Sequence, residues 1–287
     1  MLVLMSAVAF AQPELAEILE GKVLQEVRKV EEREVGVVGF AALDLTSQRM
    51  FSYHGDTLFA QASSIKIPIL IEMYRAAAGG KFRMDDKLTL NAKDAVGGSG
   101  TLREKLLAGP LTLSVKDIVT AMMESSDNSA TNQCIRMVGM DNVNRTMDSY
   151  GMKKTRLQRM MMDSSAAQHD AENISTPHEM VRIVELLYRG KAVTPQASAE
   201  MIEILKLVKA HFKKAIPNVV IASKPGGISG VKCETGIVYL QDRPYALSVM
   251  TTFVTDESDA VEQVAAIVHR HFALLAKSNS YGNHLRP

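Results

Sequence analysis

Three short motifs contain the residue types needed for acyl transfer. Residues 63–66 read Ser-Ser-Ile-Lys, residues 126–128 read Ser-Asp-Asn, and residues 224–227 read Lys-Pro-Gly-Gly. In this order they supply a hydroxyl nucleophile, an amine base, a second hydroxyl for proton relay and a cation for an anionic substrate group. Because a serine is a poor nucleophile until a base takes its proton, this set is typical of a serine acyl-transfer enzyme.

Ser63 and Lys66 form the first pair. Ser-x-x-Lys also occurs at residues 229–232, so the pattern alone is weak. Ser63 has a different context, because the apolar run from Ile65 to Tyr74 predicts a helix that starts at the serine. A residue three positions on lies on the same helix face, so Lys66 can reach the hydroxyl, and the helix N-terminus favours an oxyanion on the substrate. The alternative is that Ser63 only caps the helix.

The other two motifs also have plain structural alternatives. Residues 126–128 lie between a helix that begins at the capping pattern Ser114 to Asp117 and a helix that begins near Ser129, so they could form an ordinary cap and turn. Lys224 follows a predicted strand and could be a solvated lysine beside a glycine turn. The combination of the three motifs in order favours the catalytic interpretation.

Size and composition say whether a scaffold exists for these groups. A chain of 287 residues with 46% hydrophobic and 23% charged residues can bury a large core. Its formal net charge is +1, from 33 basic and 32 acidic residues. Such a balance gives no broad field for nucleic acid or anionic lipid, so we expect no nucleic-acid partner.

Metal and disulfide chemistry have little support. His269 and His271 are two apart on a predicted helix, so they face different sides, and no carboxylate ligand pattern is nearby. We therefore expect no metal and no cofactor. Cys134 and Cys233 lie on different predicted elements without metal-ligand spacing. We interpret them as two small buried side chains, with a disulfide as the alternative.

The first eleven residues predict export. Residues 1–11 are apolar, too short to span a bilayer, and end in Ala-Phe-Ala, which resembles the core and cleavage site of a signal peptide without its basic start. The alternative is the buried start of a helix. No later stretch is long and apolar enough for a membrane span, so we expect a periplasmic or secreted protein, and a monomer.

The hydrophobic pattern predicts an α/β (α+β) fold in which an antiparallel sheet is flanked by N- and C-terminal helices. The predicted elements are helices over 13–33 and 258–276 and strands over 35–43, 49–53, 219–223, 236–240 and 245–254. The middle of the chain predicts an inserted all-helical lobe. We expect a single two-lobed domain over 12–287, with an α/β lobe of residues 12–58 and 209–287 and a helical lobe of residues 59–208.

With these motifs in place, the chain resembles the penicillin-recognising serine enzymes, and most closely the class A β-lactamase group. The resemblance covers most of the chain after residue 11. It extends to Phe59 before the serine, to Leu111-Thr112-Leu113, to Thr176-Pro177 and to the run from Ser248 to Thr252. It implies a β-lactamase/transpeptidase-like fold with the site between the lobes.

The resemblance also implies roles for the motif residues. Ser63 would be the acylated nucleophile, Lys66 its activating amine, and Ser126 the donor that returns a proton to the leaving nitrogen. Substrate binding would fall to Asn128 for an amide, to Lys224 for a carboxylate, and to the glycines Gly226 and Gly227. The oxyanion hole would consist of the backbone N–H groups of Ser63 and Gly227.

Two positions depart from the class A pattern. Met161 stands where the glutamate that activates the deacylating water is expected, and the nearest acid, Asp163, is either a substitute base or the cap of a turn. Pro225 replaces a Thr or Ser. Its missing hydroxyl removes one hydrogen bond to a substrate carboxylate, about 1.5 to 3 kcal/mol for a charged acceptor. Ser229 or Lys232 could supply a replacement.

Three functions stay open at this point. The first is an acyl-serine hydrolase that opens β-lactams through Ser63, with slow deacylation. The second is a peptidase or transpeptidase for D-Ala-D-Ala cell-wall peptides, because those enzymes share the acylation groups without the class A glutamate. The third is a non-catalytic module that binds penicillin or peptidoglycan. The partner is accordingly a small-molecule β-lactam or a peptidoglycan peptide.

Overall fold

The computed structural model describes residues 13–284. The predicted signal peptide at residues 1–11 lies outside the described residues. Within the described part of the chain, no helix is long and apolar enough to cross a membrane.

Helices occupy most of the middle of the chain, and the long strands lie toward its two ends. The helices are α1 (Pro13–Glu31), α2 (Lys66–Ala78), α3 (Leu102–Ala108), α4 (Val115–Glu124), α5 (Asn128–Val138), α6 (Met140–Ser149), α7 (Ser164–Gln168), α8 (Pro177–Tyr188), α9 (Pro195–Lys206), α10 (His211–Ala215) and α11 (Ala260–Ala276). The strands are β1 (Val37–Asp44), β2 (Met50–Tyr53), β3 (Phe59–Ala60), β4 (Lys87–Leu90), β5 (Leu111–Ser114), β6 (Ile174–Ser175), β7 (Ile221–Ile228), β8 (Val231–Val238) and β9 (Tyr245–Thr252).

Five strands form one antiparallel sheet in the order β2-β1-β9-β8-β7. The predicted antiparallel sheet is therefore confirmed, but two of its strands are longer than predicted. Strand β7 continues through Pro225 and both glycines to Ile228, and β8 begins at Val231. The tight turn lies at Gly230, which has a φ of +79°. Proline and glycine suggested a break, yet β7 is an edge strand, where a residue without an N–H is tolerated.

The sheet separates two hydrophobic cores. One face packs on α1, α10 and α11 through a cluster that includes Phe40, Tyr245 and Phe272. The other face packs on the helices of the middle segment through a larger cluster. At its centre lies α2, whose residues from Lys66 to Tyr74 are all buried. A helix that is buried all round is held by its neighbours on every side, which makes α2 a rigid support.

The middle segment is mainly helical, but it is not all helical as predicted. Two ribbons of two strands each, β3 with β6 and β4 with β5, interrupt the helices. Both are too short to give a recognisable alternating pattern. The predicted capping pattern is confirmed, since Ser114 and Asp117 form a reciprocal capping box at the start of α4. The boundaries of the two lobes stay a prediction.

Candidate active site

Ser63 lies on a 3₁₀ turn, Ala62–Ile65, that leads directly into α2. It lines a cavity of about 330 Å³. Neither this turn nor α2 has a side-chain cap, so the alternative that Ser63 is only an N-cap is wrong. The preceding Ala62 has a φ of +40°, a region that alanine seldom occupies. Such local strain clusters at functional sites, because the surrounding structure must hold it in place.

The Lys66 side chain is fully buried beside the second motif. Its Nζ lies 2.7 Å from the carbonyl oxygen of Ser126, 2.9 Å from Ser126 Oγ and 3.2 Å from Asn128 Oδ1. Among residues 13–284, its side-chain hydrogen bonds go to these two residues rather than to Ser63. Burial, and next the positive charge of Lys224, lower the pKa of Lys66 from 10.5 to about 6. The amine is therefore neutral near pH 7.

The residues of the Ser-Asp-Asn motif divide between capping and the site. Asp127 caps α5 by accepting from Ala130 N at 2.9 Å, so the plain alternative holds for this one residue. Asn128 accepts from Lys66 through Oδ1 and donates from Nδ2 to the carbonyl of Gly97 at 2.9 Å. Ser126 has a φ of +56° in the loop before α5, which directs its hydroxyl toward both lysines.

Lys224 is not a solvated lysine, because only 1% of its surface is exposed. Its Nζ donates to Ser126 Oγ at 3.1 Å and to the carbonyl of Pro225 at 2.9 Å. Burial lowers the pKa of Lys224 to about 8. Ser126 Oγ thus lies between a charged ammonium and a neutral amine. A neutral amine has two protons and one lone pair, so Lys66 can donate to two of its oxygen partners and accept a proton from a hydroxyl.

Strand β7 forms the wall opposite Ser63. A Cβ on Gly226 would lie 2.8 Å from the backbone nitrogens of both Ser63 and Ser64, so only glycine allows this approach. Pro225 pairs within an unbroken ladder although it has no N–H, so its nitrogen faces away from β8. Backbone groups two residues apart on a strand point the same way, so the N–H of Gly227 faces outward as well. Gly227 lines the same cavity as Ser63.

Two further buried side chains, which the three motifs do not indicate, connect this wall to the 3₁₀ turn that carries Ser63. Ser64 Oγ donates to the carbonyl of Lys224 at 3.0 Å and contacts Cys233 Sγ at 3.2 Å. Cys233 Sγ also donates to the carbonyl of Gln61 at 3.2 Å. The register of β8 could have indicated Cys233, because it pairs with Gly226. Both cysteines are buried and free, which confirms the interpretation made from the sequence.

A closed loop over residues 159–173 borders the cavity. At its neck, Arg159 makes two bonds to Glu172, at 3.0 and 2.9 Å, and the buried Asn173 side chain bonds the backbone of Gln158 and Arg159. Asn132 bonds both the N–H and the carbonyl of Met161, at 2.8 and 3.1 Å.

Within this loop, Met161 is 8% exposed and Met162 60% exposed, and both line the cavity. Asp163 also lines it, with Oδ1 accepting from Ala166 N at 2.9 Å as the cap of α7. The carboxylate therefore has a capping bond, and its use as a base stays a prediction.

The residues considered as replacements for the Pro225 hydroxyl are engaged elsewhere. Lys232 Nζ donates to the carbonyls of Asp256 and Ser258, at 2.5 and 2.6 Å. Side chains alternate along a strand, so Lys232 lies on the opposite face of β8 from Cys233. Ser229 Oγ lies 3.5 Å from Asp256 Oδ2 at the end of the sheet.

Within residues 13–284, no group of three His, Cys, Asp or Glu residues could hold a metal ion.

The fold and this arrangement define a class of protein, the penicillin-recognising serine enzymes. A family model described as the beta-lactamase enzyme family matches residues 22–272, and the chain belongs to that family.

Individual relatives are distant but cover most of the chain. The beta-lactamase OXY-2 of Klebsiella oxytoca is 26% identical over 243 residues, 82% of each chain. The solved beta-lactamase of Sphaerobacter thermophilus is 29% identical with a TM-score of 0.80, over 88% of this chain and 95% of that one. A protein named PBP-A shares the fold, with a TM-score of 0.80 at 21% identity over 88% and 96% of the two chains.

Proposed function

We propose that this protein is a serine acyl-enzyme hydrolase that opens β-lactams through Ser63 and releases the acyl group slowly. Ser63 Oγ attacks the β-lactam carbonyl, an O–C bond forms, and its proton passes to the neutral amine of Lys66. The backbone N–H groups of Ser63 and Gly227 stabilise the oxyanion. When the C–N bond breaks, Ser126 gives a proton to the leaving nitrogen and recovers one from Lys66.

The observation that carries this proposal is the hydroxyl of Ser126 held between two buried lysines. Burial, and next the repulsion from the Lys224 ammonium in the same site, lower the pKa of Lys66, so this amine loses its proton and serves as a base at neutral pH. A structural role would favour a carboxylate partner, since a buried charge is costly without one. The hydroxyl, its carbonyl and Asn128 surround Lys66 instead.

Slow deacylation follows from Met161. The loop presents a thioether at the cavity where hydrolysis of an acyl-enzyme needs a group that accepts a proton from water. Asn132 fixes the backbone of Met161 through two hydrogen bonds, so the side chain has little freedom to withdraw. Asp163 is the carboxylate among the cavity-lining residues and is the candidate substitute base.

Met161 at the cavity also favours a second function, a peptidase or transpeptidase for D-Ala-D-Ala cell-wall peptides. A long-lived acyl-enzyme that is not readily hydrolysed can pass its acyl group to an amine of a second peptide. Asn128 would bind the substrate amide in either case, and Lys224 would supply the ammonium nearest to a terminal carboxylate. A binding module without catalysis is the remaining possibility, and it needs no proton relay. For all three functions we expect the protein to act outside the cytoplasm as a monomer.

Intact-protein mass spectrometry during incubation with benzylpenicillin tests the proposal, with Ser63→Ala as the matched control. We expect the wild type to gain the mass of one penicillin and to keep it for minutes to hours, and the variant to gain none. Turnover of free penicillin at the rate at which the adduct clears would identify the hydrolase. A permanent adduct, with release only when an acceptor amine is added, would identify the transpeptidase. Absence of any serine-dependent adduct contradicts catalysis.

A further inference from the structure

The leaving-group side of the cleft offers few hydrogen-bond donors. Ser126 protonates the leaving nitrogen, so the part of the substrate attached to that nitrogen must lie between Ser126 and the edge of β7. Residues 225–228 of that edge read Pro-Gly-Gly-Ile, four residues whose side chains cannot donate a hydrogen bond. Pro225 has no backbone N–H either, and Ile228, 45% exposed, adds an apolar surface at the end of the strand.

The side chains that could compensate are occupied. Lys232 and Ser229 are engaged near Asp256 at the end of the sheet. Thr235 pairs with Lys224 across the ladder, but its hydroxyl is buried and bonded to Ser248 at 2.8 Å.

The cavity lining also offers little positive charge to an anionic substrate group. Among the described residues that line it, Arg159 carries the only positive charge. Its Nε and Nη2 donate to Glu172, and its Nη1 donates to the carbonyl of Met160. Asp163 adds a carboxylate to the lining. Lys224, which is not part of the lining, lies behind Ser126 with two of its three protons directed to Ser126 Oγ and to the Pro225 carbonyl. The serine hydroxyls on the cavity lining are those of Ser63, Ser99 and Ser164, and none of them lies on the edge of β7. An anionic group at that edge therefore meets one partly covered ammonium, the hydroxyl of Ser126 and no hydroxyl from residues 225–228.

We infer that this site does not require a carboxylate on the leaving-group side of its substrate. An acyl donor in which that carboxylate is replaced by an ester or an amide should acylate Ser63 as readily as the donor with the free carboxylate. The inference rests on the proposed acylation of Ser63 and specifies its substrate class. A neutral ester or amide loses far less hydration free energy than a carboxylate when no donor meets it, whereas a carboxylate that leaves water needs charge-assisted hydrogen bonds to replace its hydration. The apolar edge formed by Pro225 and Ile228 favours the neutral group further.

The test compares the second-order rate constants for acylation of Ser63 by benzylpenicillin and by its methyl ester, from intact mass against time. Each rate is divided by that compound's own rate with hydroxide, which removes the difference in intrinsic reactivity. We expect a ratio of free acid to ester within about threefold of one. Pro225→Thr, which adds a hydroxyl at the edge, should raise the ratio by about tenfold or more, the usual value of one hydrogen bond to a charged group.

Pro225→Ala is the matched control, because it restores the N–H as Pro225→Thr does but adds no hydroxyl, and we expect its ratio to stay well below that of Pro225→Thr. Lys232→Ala and Ser229→Ala should also leave the ratio unchanged. A wild-type preference for the acid of thirtyfold or more overturns the inference while leaving acylation itself intact, and a loss of that preference in Lys232→Ala or Ser229→Ala would identify the carboxylate partner. An unchanged ratio in a folded Pro225→Thr that still reacts with the ester also contradicts it. If neither compound acylates Ser63, the proposed function fails as well.

Discussion

The proposed role of Lys66 as a base depends on where its amine lies, and not on its being a lysine. The sequence places a lysine three residues after a serine twice, at 63–66 and at 229–232. Lys232 donates to two backbone carbonyls at the end of the sheet, which is an ordinary structural role. Lys66 is enclosed by α2 and the Ser126 loop beside Lys224, and burial with a neighbouring cation lowers its pKa to about 6.

This environment predicts the pH dependence of acylation. The base form of Lys66 is required, so the second-order rate constant with benzylpenicillin should rise with pH through a midpoint near the pKa of about 6 and then level off. In Lys224→Met the repulsion from the second ammonium is gone, which favours the charged form of Lys66, so the midpoint should move to higher pH. Mass-spectrometric rates between pH 4.5 and 8 measure both midpoints.

Only the midpoint is compared, since loss of Lys224 also changes the absolute rate. Burial is the larger cause of the low pKa, so a rising limb should remain in the variant. A midpoint in Lys224→Met at or below that of the wild type would show that the second cation does not act on Lys66.

A second prediction at the residue scale concerns Met161 and the rate at which the acyl-enzyme is hydrolysed. Met161→Glu places a carboxylate on a backbone that Asn132 already holds at the cavity. We expect the penicillin adduct to clear at least tenfold faster, because the carboxylate can take a proton from the attacking water. Met161→Gln has the same shape without the charge and should clear at the wild-type rate. Equal rates in the two variants would show that the loop does not hold position 161 where water attacks.

At the scale of elements, the spacing of apolar residues predicts the strands better than the types of the individual residues do. The sheet and the long helices follow from periodic apolar residues, and the three motifs identify the site residues that meet in the cleft. The full length of β7 could not be predicted, because Pro225 and two glycines read locally as a turn. The strand forms because each residue pairs with β8 and the edge needs no donor at 225. The roles of Ser64 and Cys233 depend on contacts between distant elements, which local patterns do not contain.

The close approach of β7 to the 3₁₀ turn gives a matched pair of substitutions. Gly226→Ala places a Cβ 2.6 Å from the carbonyl oxygen of Gln61 and 2.8 Å from the nitrogen of Ser63, and backbone atoms cannot move aside alone. In Gly227→Ala the nearest of the neighbouring atoms, the carbonyl oxygen of Val231, is 3.8 Å away. We expect acylation by benzylpenicillin to fall about a hundredfold or more in Gly226→Ala and to stay within a few fold in Gly227→Ala, which keeps its N–H.

Circular dichroism and thermal unfolding of both variants establish that the fold is retained. A Gly226→Ala protein that folds and reacts at the wild-type rate would contradict the tight contact between strand and nucleophile. A large loss in Gly227→Ala would instead show that the open side of the strand has to receive the substrate at that residue.

At the scale of the whole molecule, the site opposes the stability of the fold that contains it. Lys66 and Lys224 are both withdrawn from water between the helices of the middle segment and the sheet, and their partners are neutral oxygens. In the unfolded chain each lysine recovers its hydration. The molecule therefore depends on its two hydrophobic cores to offset this cost, which is the usual relation between an active site and the stability of its scaffold.

Stability should accordingly change with pH through Lys66. Its pKa is about 6 in the folded state and near 10.5 when the side chain is free in water. Between these values the unfolded chain binds one more proton than the folded one, so the free energy of unfolding rises with pH by about 1.4 kcal/mol per unit from this group alone. Below the folded pKa both states are protonated and the contribution no longer changes.

Lys66→Met keeps the length of the side chain and removes the titration. Between pH 6.5 and 8 the free energy of unfolding of the wild type should rise more steeply than that of the variant, by about 1 kcal/mol per unit, in urea titrations. The slopes are compared because the variant also loses hydrogen bonds to Ser126 and Asn128, a change that is constant with pH. Lys81→Met, at a surface position, should keep the wild-type slope. Equal slopes in the wild type and Lys66→Met would mean that Lys66 stays charged in the folded protein, and the amine could then not be the base that activates Ser63.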